Sequence, residues 1–165
     1  MVAGGDITLA SDINNLEALT WVTGQGVTAS SAAIGATETV VLTAPSYTYK
    51  ANSAYRISLH GGVTVSVATN TPLFRFRKTN TAGQQFDVCR VPCISTSSHG
   101  VTYDAMFQVG GADVTAVIVA TLTGAAGFNA TLTAAATSPC AMDIFRVGRE
   151  GGIYAGLAGW APVLV

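Results

Sequence analysis

Between Ser53 and Lys78 the chain alternates residue by residue, and that alternation limits it to a small set of folds. Tyr55, Ile57 and Leu59 are interleaved with Arg56, Ser58 and His60. Beyond Gly61-Gly62, Val63, Val65 and Val67 alternate with Thr64 and Ser66, and from Leu73 to Arg77 two phenylalanines, Phe74 and Phe76, are set among Leu73, Arg75 and Arg77. A period of two sends successive side chains to opposite faces of a strand. The β-branched and aromatic content suits a pleated, half-buried surface. With Gly-Gly and Thr-Asn-Thr-Pro as breaks, the stretch reads as three consecutive strands in the middle of an antiparallel sheet.

The pattern repeats along the chain. Strands are predicted over 27–34, 38–44, 47–49, 86–91, 101–109, 114–123, 128–134 and 142–147. Tyr103, Ala105, Phe107 and Val109 share one face of their segment, against Asp104, Met106 and Gln108. Val114 to Thr123 is nearly continuous in apolar residues, as a strand covered on both sides should be. Gly24-Gln25-Gly26 has neither a strand before it nor a helix after it, so it reads as a connector and not as a phosphate loop. Eight to ten short strands about a dozen residues apart predict an all-β chain, an antiparallel β-sandwich of jelly-roll type.

One short N-terminal helix is predicted from Ser11 to Leu19. Ser11 can cap its free amides, Asp12 suits its positive end, and Ile13, Leu16 and Leu19 form one apolar stripe. About eight residues do not hold a helix alone in water, so the stripe must dock. The expected organisation is an attachment segment at 1–22, a sandwich at 23–148 and an apolar tail at 149–165.

Composition bears on partners. Of 165 residues only 10% are charged, against 49% hydrophobic, and the net charge is −1. Soluble domains carry about 25% charged residues. A surface so poor in charge repels its neighbours weakly, which predicts self-association, with a homotrimer expected. Beyond Glu150 there is no charged side chain, and Tyr154, Leu157, Trp160, Val163 and Leu164 are expected to pack against a neighbouring subunit. The competing expectation is that this tail wraps over its own sandwich and covers an open edge.

Nucleic acid is not an expected partner, since binding it needs a basic footprint. Arg75, Arg77 and Lys78 are the one basic cluster, and a strand with a solvated face accounts for them. No segment has the run of about 18 apolar residues that a membrane span needs, and the N-terminus lacks the pattern of a signal peptide. Cys89, Cys93 and Cys140 are an odd count without zinc spacing; Cys89 and Cys93 could pair across Arg-Val-Pro, but buried free thiols of a reducing compartment are the expectation. Ser97, His99 and Asp104 supply the types of a hydrolytic triad, but a polar loop beside a strand often holds all three. Asp87 and Asp104 could face one another across strands, as the carboxylates of a glycosidase do at a set separation. Neither catalysis nor a cofactor is expected.

Several segments carry a resemblance. Gly5-Asp-Ile-Thr-Leu-Ala-Ser-Asp-Ile-Asn14, Glu38-Thr-Val-Val-Leu-Thr-Ala44 and Lys50-Ala-Asn-Ser-Ala-Tyr-Arg-Ile57 are three of them. Leu73-Phe-Arg-Phe-Arg-Lys78 and Ser138-Pro-Cys-Ala-Met-Asp-Ile-Phe-Arg-Val-Gly148 complete the set. In these the chain resembles small virion structural proteins, of minor-tail or capsid-decoration type, from tailed phages of actinobacteria. The resemblance implies a jelly-roll-like sandwich, often trimeric and without enzymatic activity. It would be assembled in the host cytoplasm and carried on the virion beside capsid or tail proteins. In that setting Ile13, Leu16 and Leu19 would attach it to the particle. A carbohydrate- or host-receptor-binding module on the same scaffold is the alternative, since sandwich loops often carry recognition.

Overall fold

A computed structural model describes residues 20–148 and 161–165. Twelve strands run through these residues, and no helix is found among them. They are β1 (Thr20–Val27), β2 (Thr39–Thr43), β3 (Tyr47–Tyr49), β4 (Ala54–Val65), β5 (Leu73–Lys78), β6 (Gln85–Arg90), β7 (His99–Val109), β8 (Val114–Ala116), β9 (Ile118–Thr123), β10 (Ala130–Thr133), β11 (Cys140–Gly148) and β12 (Val163–Leu164). The helix expected at 11–19 lies outside the described residues.

The larger sheet has the order β1-β11-β4-β7-β12, with β10 also on β4; the smaller has the order β2-β9-β5-β6, and β3 pairs with β8 alongside. All pairings but β7–β12 are antiparallel. With β2/β3, β8/β9 and β10/β11 each taken as one interrupted strand and β12 set aside, β1 pairs with β10/β11, β2/β3 with β8/β9 and β4 with β7. The β5–β6 hairpin is the innermost pair. One long hairpin folded over into two sheets in this way is the jelly-roll order.

Alternation explains which face is which. On β4, Tyr55, Ile57, Leu59, Val63 and Val65 are buried, and on β7, Val101, Ala105, Phe107 and Val109 are. Phe74 and Phe76 of β5 and Leu42 of β2 meet them from the smaller sheet. An aromatic cluster ties the layers together. Tyr55 and Phe107 are stacked at 5.3 Å, Tyr49 of β3 meets both edge-on, and Phe86 of β6 stacks on Phe107 at 5.0 Å. Such ring pairs contribute roughly 0.5–1.5 kcal/mol beyond the area they bury.

Three expectations are corrected. The Ser53–Lys78 stretch forms two strands, one in each sheet, because β4 runs unbroken through Gly61-Gly62. There β4 changes partner, from β11 over Ala54–His60 to β10 over Gly62–Val65. A Cβ on Gly61 would fall on the Cys140 sulfur, and one on Gly62 would strike Thr133 Oγ1 and Ser98 Oγ. Bare backbone is what lets two strands meet end to end beside β4. The supposed connector at Thr20–Gly26 is β1, paired from Thr20↔Arg146 to Val27↔Cys140. Its Gly24 leaves the space that the Asp143 side chain fills. The strand predicted over 27–34 is largely irregular, with Ile34 alone making a bridge, to Ala130.

Among the described residues the sandwich includes β1 from Thr20 and takes in the last residues of the tail. Val163 and Leu164 form β12 on the edge of β7, in parallel register with Gln108 and Val109.

Candidate functional site

The residue types of a triad do not assemble. On β7, His99 shares the inward parity of Val101, whereas Asp104 faces outward opposite Ser58. His99 Nε2 approaches the Ser95 carbonyl at 3.1 Å, and the Ser97 amide donates to Ser95 Oγ at 3.3 Å. Asp87 and Asp104 do not face one another either. Asp87 accepts the Tyr103 hydroxyl at 2.9 Å between the sheets. Burial, followed by that carboxylate, pushes the Tyr103 hydroxyl up to about 12. His60 is exposed on the outer face of β4.

The three cysteines are free and buried. Burial raises all three thiols, Cys140 to about 11, with the charge of Asp87 adding to the effect on Cys89. Thiols held protonated in this way make poor nucleophiles and poor metal ligands. Among the described residues no group of histidine, cysteine and carboxylate side chains is placed to hold a metal. No helix among them is long and apolar enough to cross a membrane.

The basic cluster on β5 is tied down instead of solvated. Glu38 stands just before β2, and its carboxylate takes Arg77 Nε at 2.6 Å and Nη2 at 3.1 Å. Arg75 Nη1 lies 3.6 Å from the same carboxylate and donates to Thr123 Oγ1 at 2.7 Å. The Thr121 hydroxyl donates to Glu38 Oε1 at 2.5 Å. Burial pulls the Glu38 carboxyl up, but the hydrogen bonds from Arg77 and Thr121 and the two guanidinium charges outweigh it. Its pKa ends below the usual glutamate range. Side chains of the trio are only 17–20% exposed. They cover the outer face of β9, all six residues of which are buried. The apolar run expected at 114–123 to form one strand covered on both sides is divided into β8, where Thr115 is exposed, and β9, which is covered on both sides, on the outside by an ion cluster.

The outer face of the larger sheet carries the other concentration of chemistry. In register across it stand Trp21, Phe145, Arg56 and Met106, one from each of β1, β11, β4 and β7. The Arg56 guanidinium lies 5.0 Å from the centre of the Phe145 ring. Trp21 is 56% exposed, and its indole N–H donates to Asp143 Oδ1 at 2.9 Å. Arg56 Nε is shut off from solvent and has no acceptor among the described residues. Sequence reasoning missed this row because its four members come from four separated segments, and only the register aligns them.

Of the residues expected at a subunit contact, Val163 and Leu164 are described. Leu164 is 1% exposed within its own sandwich, and Val163 is 40% exposed at the edge. The carbonyls of Val163 and Val165 accept from Gln84 and Lys78, so the end of the chain rests on the β5–β6 hairpin. Tyr154, Leu157 and Trp160, like Ile13, Leu16 and Leu19, lie outside the described residues.

No family model matches the chain, and no curated protein matches it. Among solved structures it is similar to a chain of the Bacillus endospore appendages, described as a novel family of disulfide-linked pili. There the identity is 16%, over 78% of this chain and 89% of that one, with a TM-score of 0.37. It is also similar to chains of infectious bursal disease virus, in the Gx and Gt strains. Identity is 13% in both, over 82% and 79% of this chain, with TM-scores of 0.38 and 0.36. The chain spans 32% of the length of those viral chains. At these scores the likeness is a distant one between β-structures.

Proposed function

We propose that this chain is a non-enzymatic structural subunit of a tailed-phage virion, a surface module attached to the capsid or the tail and associating as a homotrimer. The observation that carries the reading is how little charge the chain has, 10% of its residues, with part of it tied up in pairs among the described residues. Glu38 takes up one of the two positive charges of Arg75 and Arg77, Lys50 pairs with Asp113 at 2.7 Å, and Asp143 and Asp87 accept from Trp21 and Tyr103. The surface left over is largely hydroxyl and small apolar groups, with little electrostatic resistance to close neighbours. The resemblance seen in the sequence adds the phage setting. Ile13, Leu16 and Leu19 are the proposed attachment stripe, and Val163 is the described tail residue open to a second subunit.

Light scattering at micromolar concentration is the test. A stable trimer is expected, and binding to purified particles should depend on residues 1–19. A chain that stays monomeric and leaves the particles bare overturns the reading.

A second reading, a glycan- or receptor-binding module, is favoured by one observation, the exposed Trp21 beside Asp143. An exposed indole beside a carboxylate suits a sugar ring, though here it lies on a sheet face and not in a loop cluster. Glycan binding that Trp21→Ala abolishes would support this alternative.

A further inference from the structure

We propose that the outer face of the larger sheet, the row Phe145–Arg56–Met106 above all, is a docking surface for residues 149–160 of the same chain. This stands apart from the virion reading. It follows from where the chain leaves the sheet, where it re-enters and in which direction.

The chain leaves β11 at Gly148, in register with Ala54 of β4, which is itself opposite Gln108 of β7. It returns at Ala161 and Pro162 and pairs Val163 with Gln108. Since β11 and β7 are both antiparallel to β4, and β12 is parallel to β7, β11 and β12 point the same way. Parallel strands of one sheet have to be joined by a crossover, which passes over one face or the other. The inner face is closed to it. Ile57, Ala105, Ile144 and Phe107 there are packed against the smaller sheet.

Handedness selects the same face independently. The Gln108 amide donates to Pro162 O at 3.0 Å, and the next amide, that of Val109, donates to Ser53 O at 2.9 Å. β12 and β4 thus flank β7 on opposite sides. Gln108 has the outward parity and Val109 the inward one. For an L-residue, strand direction, side-chain direction and N–H direction fix one another. Viewed from outside with β7 running upward, β12 lies to the right, with β4 and β11 to the left. A connection that moves rightward in front of the sheet is right-handed, the hand found in about 98% of such crossovers. Passing behind would make it left-handed.

Two contacts fit this course. The outward side chain of Gln108 donates from Nε2 to Ala161 O at 3.0 Å, so the returning chain comes in from the outer side. Arg56 Nε–H, on the same face, has no acceptor among the described residues, and a passing carbonyl can supply one. Length suffices as well. Twelve residues reach up to ~40 Å, while three strand spacings are ~14 Å. The segment's composition suits the face, since Ile153, Tyr154, Leu157 and Trp160 are apolar, as are Phe145, Met106 and the stem of Arg56.

The chain has two tryptophans, so Trp21→Phe leaves Trp160 as the sole indole reporter. In this variant, held at a concentration where light scattering gives a monomer, Trp160 emission is expected to be blue-shifted and protected from acrylamide. Adding Met106→Lys or Phe145→Asp should shift it to the red while the far-ultraviolet dichroism stays that of a β-sandwich. Solvent-like emission in the monomer overturns the proposal, whether it persists at high concentration (a bare face) or turns blue only on association (a second copy as the occupant). Emission that neither substitution moves in a folded monomer overturns it as well. The unaltered chain gives a reading that needs no variant to fold. Met106 should resist peroxide oxidation in the monomer and lose that resistance when the chain is cut after Gly148, and rapid oxidation of Met106 in the intact monomer contradicts the docking.

Discussion

Arg77 on β5 and Glu38 just before β2 are joined by two hydrogen bonds, of 2.6 and 3.1 Å, across the strand β9 that lies between them. Thr121, on that middle strand, donates to the same carboxylate. Three strands of the smaller sheet are clamped on the outside by a single acid, and the clamp covers backbone that would otherwise face water.

Because the folded Glu38 carboxyl titrates below its usual range, its contribution is complete above the ordinary glutamate pKa. It is lost as the pH falls through the folded value. The melting temperature is therefore expected to drop on acidification below the glutamate range, and Glu38→Gln should flatten that part of the profile. At neutral pH the same substitution, which leaves two guanidinium groups without their counter-charge, should cost about 1–3 kcal/mol. Calorimetry across the acid range checks both, and a variant with the parent's pH profile would count against the clamp.

Gly61→Ala should destabilise the sandwich by roughly 1–3 kcal/mol, since the new methyl group collides with Cys140 where β10 and β11 meet beside β4. Cys140→Ala in the same chain should recover part of the loss. Equal denaturant midpoints for Gly61→Ala and the parent would show that the junction has slack.

Removing the tail should weaken the monomer. Leu164→Ala takes a fully buried side chain out of the edge beside β7, at a cost of about 2–3 kcal/mol. Truncation after Gly152 should lower the melting temperature of the monomer further. A truncated monomer that melts like the parent but no longer associates would mean that the tail serves only a neighbouring subunit.

The cysteines should be silent in the native state. Buried, and with thiols raised by that burial, Cys89, Cys93 and Cys140 are expected to react with a thiol reagent at pH 8 only at the rate of unfolding. Three equivalents should then be released in denaturant. Fast native-state labelling would show that one of the three is open to solvent.

On the particle, replacing Ile13 and Leu16 with Ser should leave the melting temperature unchanged and abolish occupancy. Occupancy equal to the parent's would remove residues 1–19 as the anchor.

Which residues face inward was readable from alternation alone. Tyr103, Ala105, Phe107 and Val109 lie on one side of β7 and Asp104, Met106 and Gln108 on the other, because a strand's two-residue period leaves no third arrangement. Within the apolar run at 114–123, cover on both faces holds for 118–123 and not for β8, where Thr115 is exposed, and the spacing of turns announced a sandwich. Partnership was not readable in this way. Gly61-Gly62 looks like a turn when only neighbours in sequence are considered. It is a continuous strand because Cys140, Thr133 and Ser98 occupy the space that its missing side chains vacate. Gly24 and Gly26 looked like a loop, yet they form part of an edge strand whose open space holds Asp143. Arg75 and Arg77 read as a solvated face, because their acid lies 37 and 39 positions away, at Glu38, and reaches them only through the order β2-β9-β5. Alternation is a property of consecutive residues and is written into the chain. Strand order, register and ion pairing depend on which distant segments lie side by side, and only packing two sheets around one core determined that.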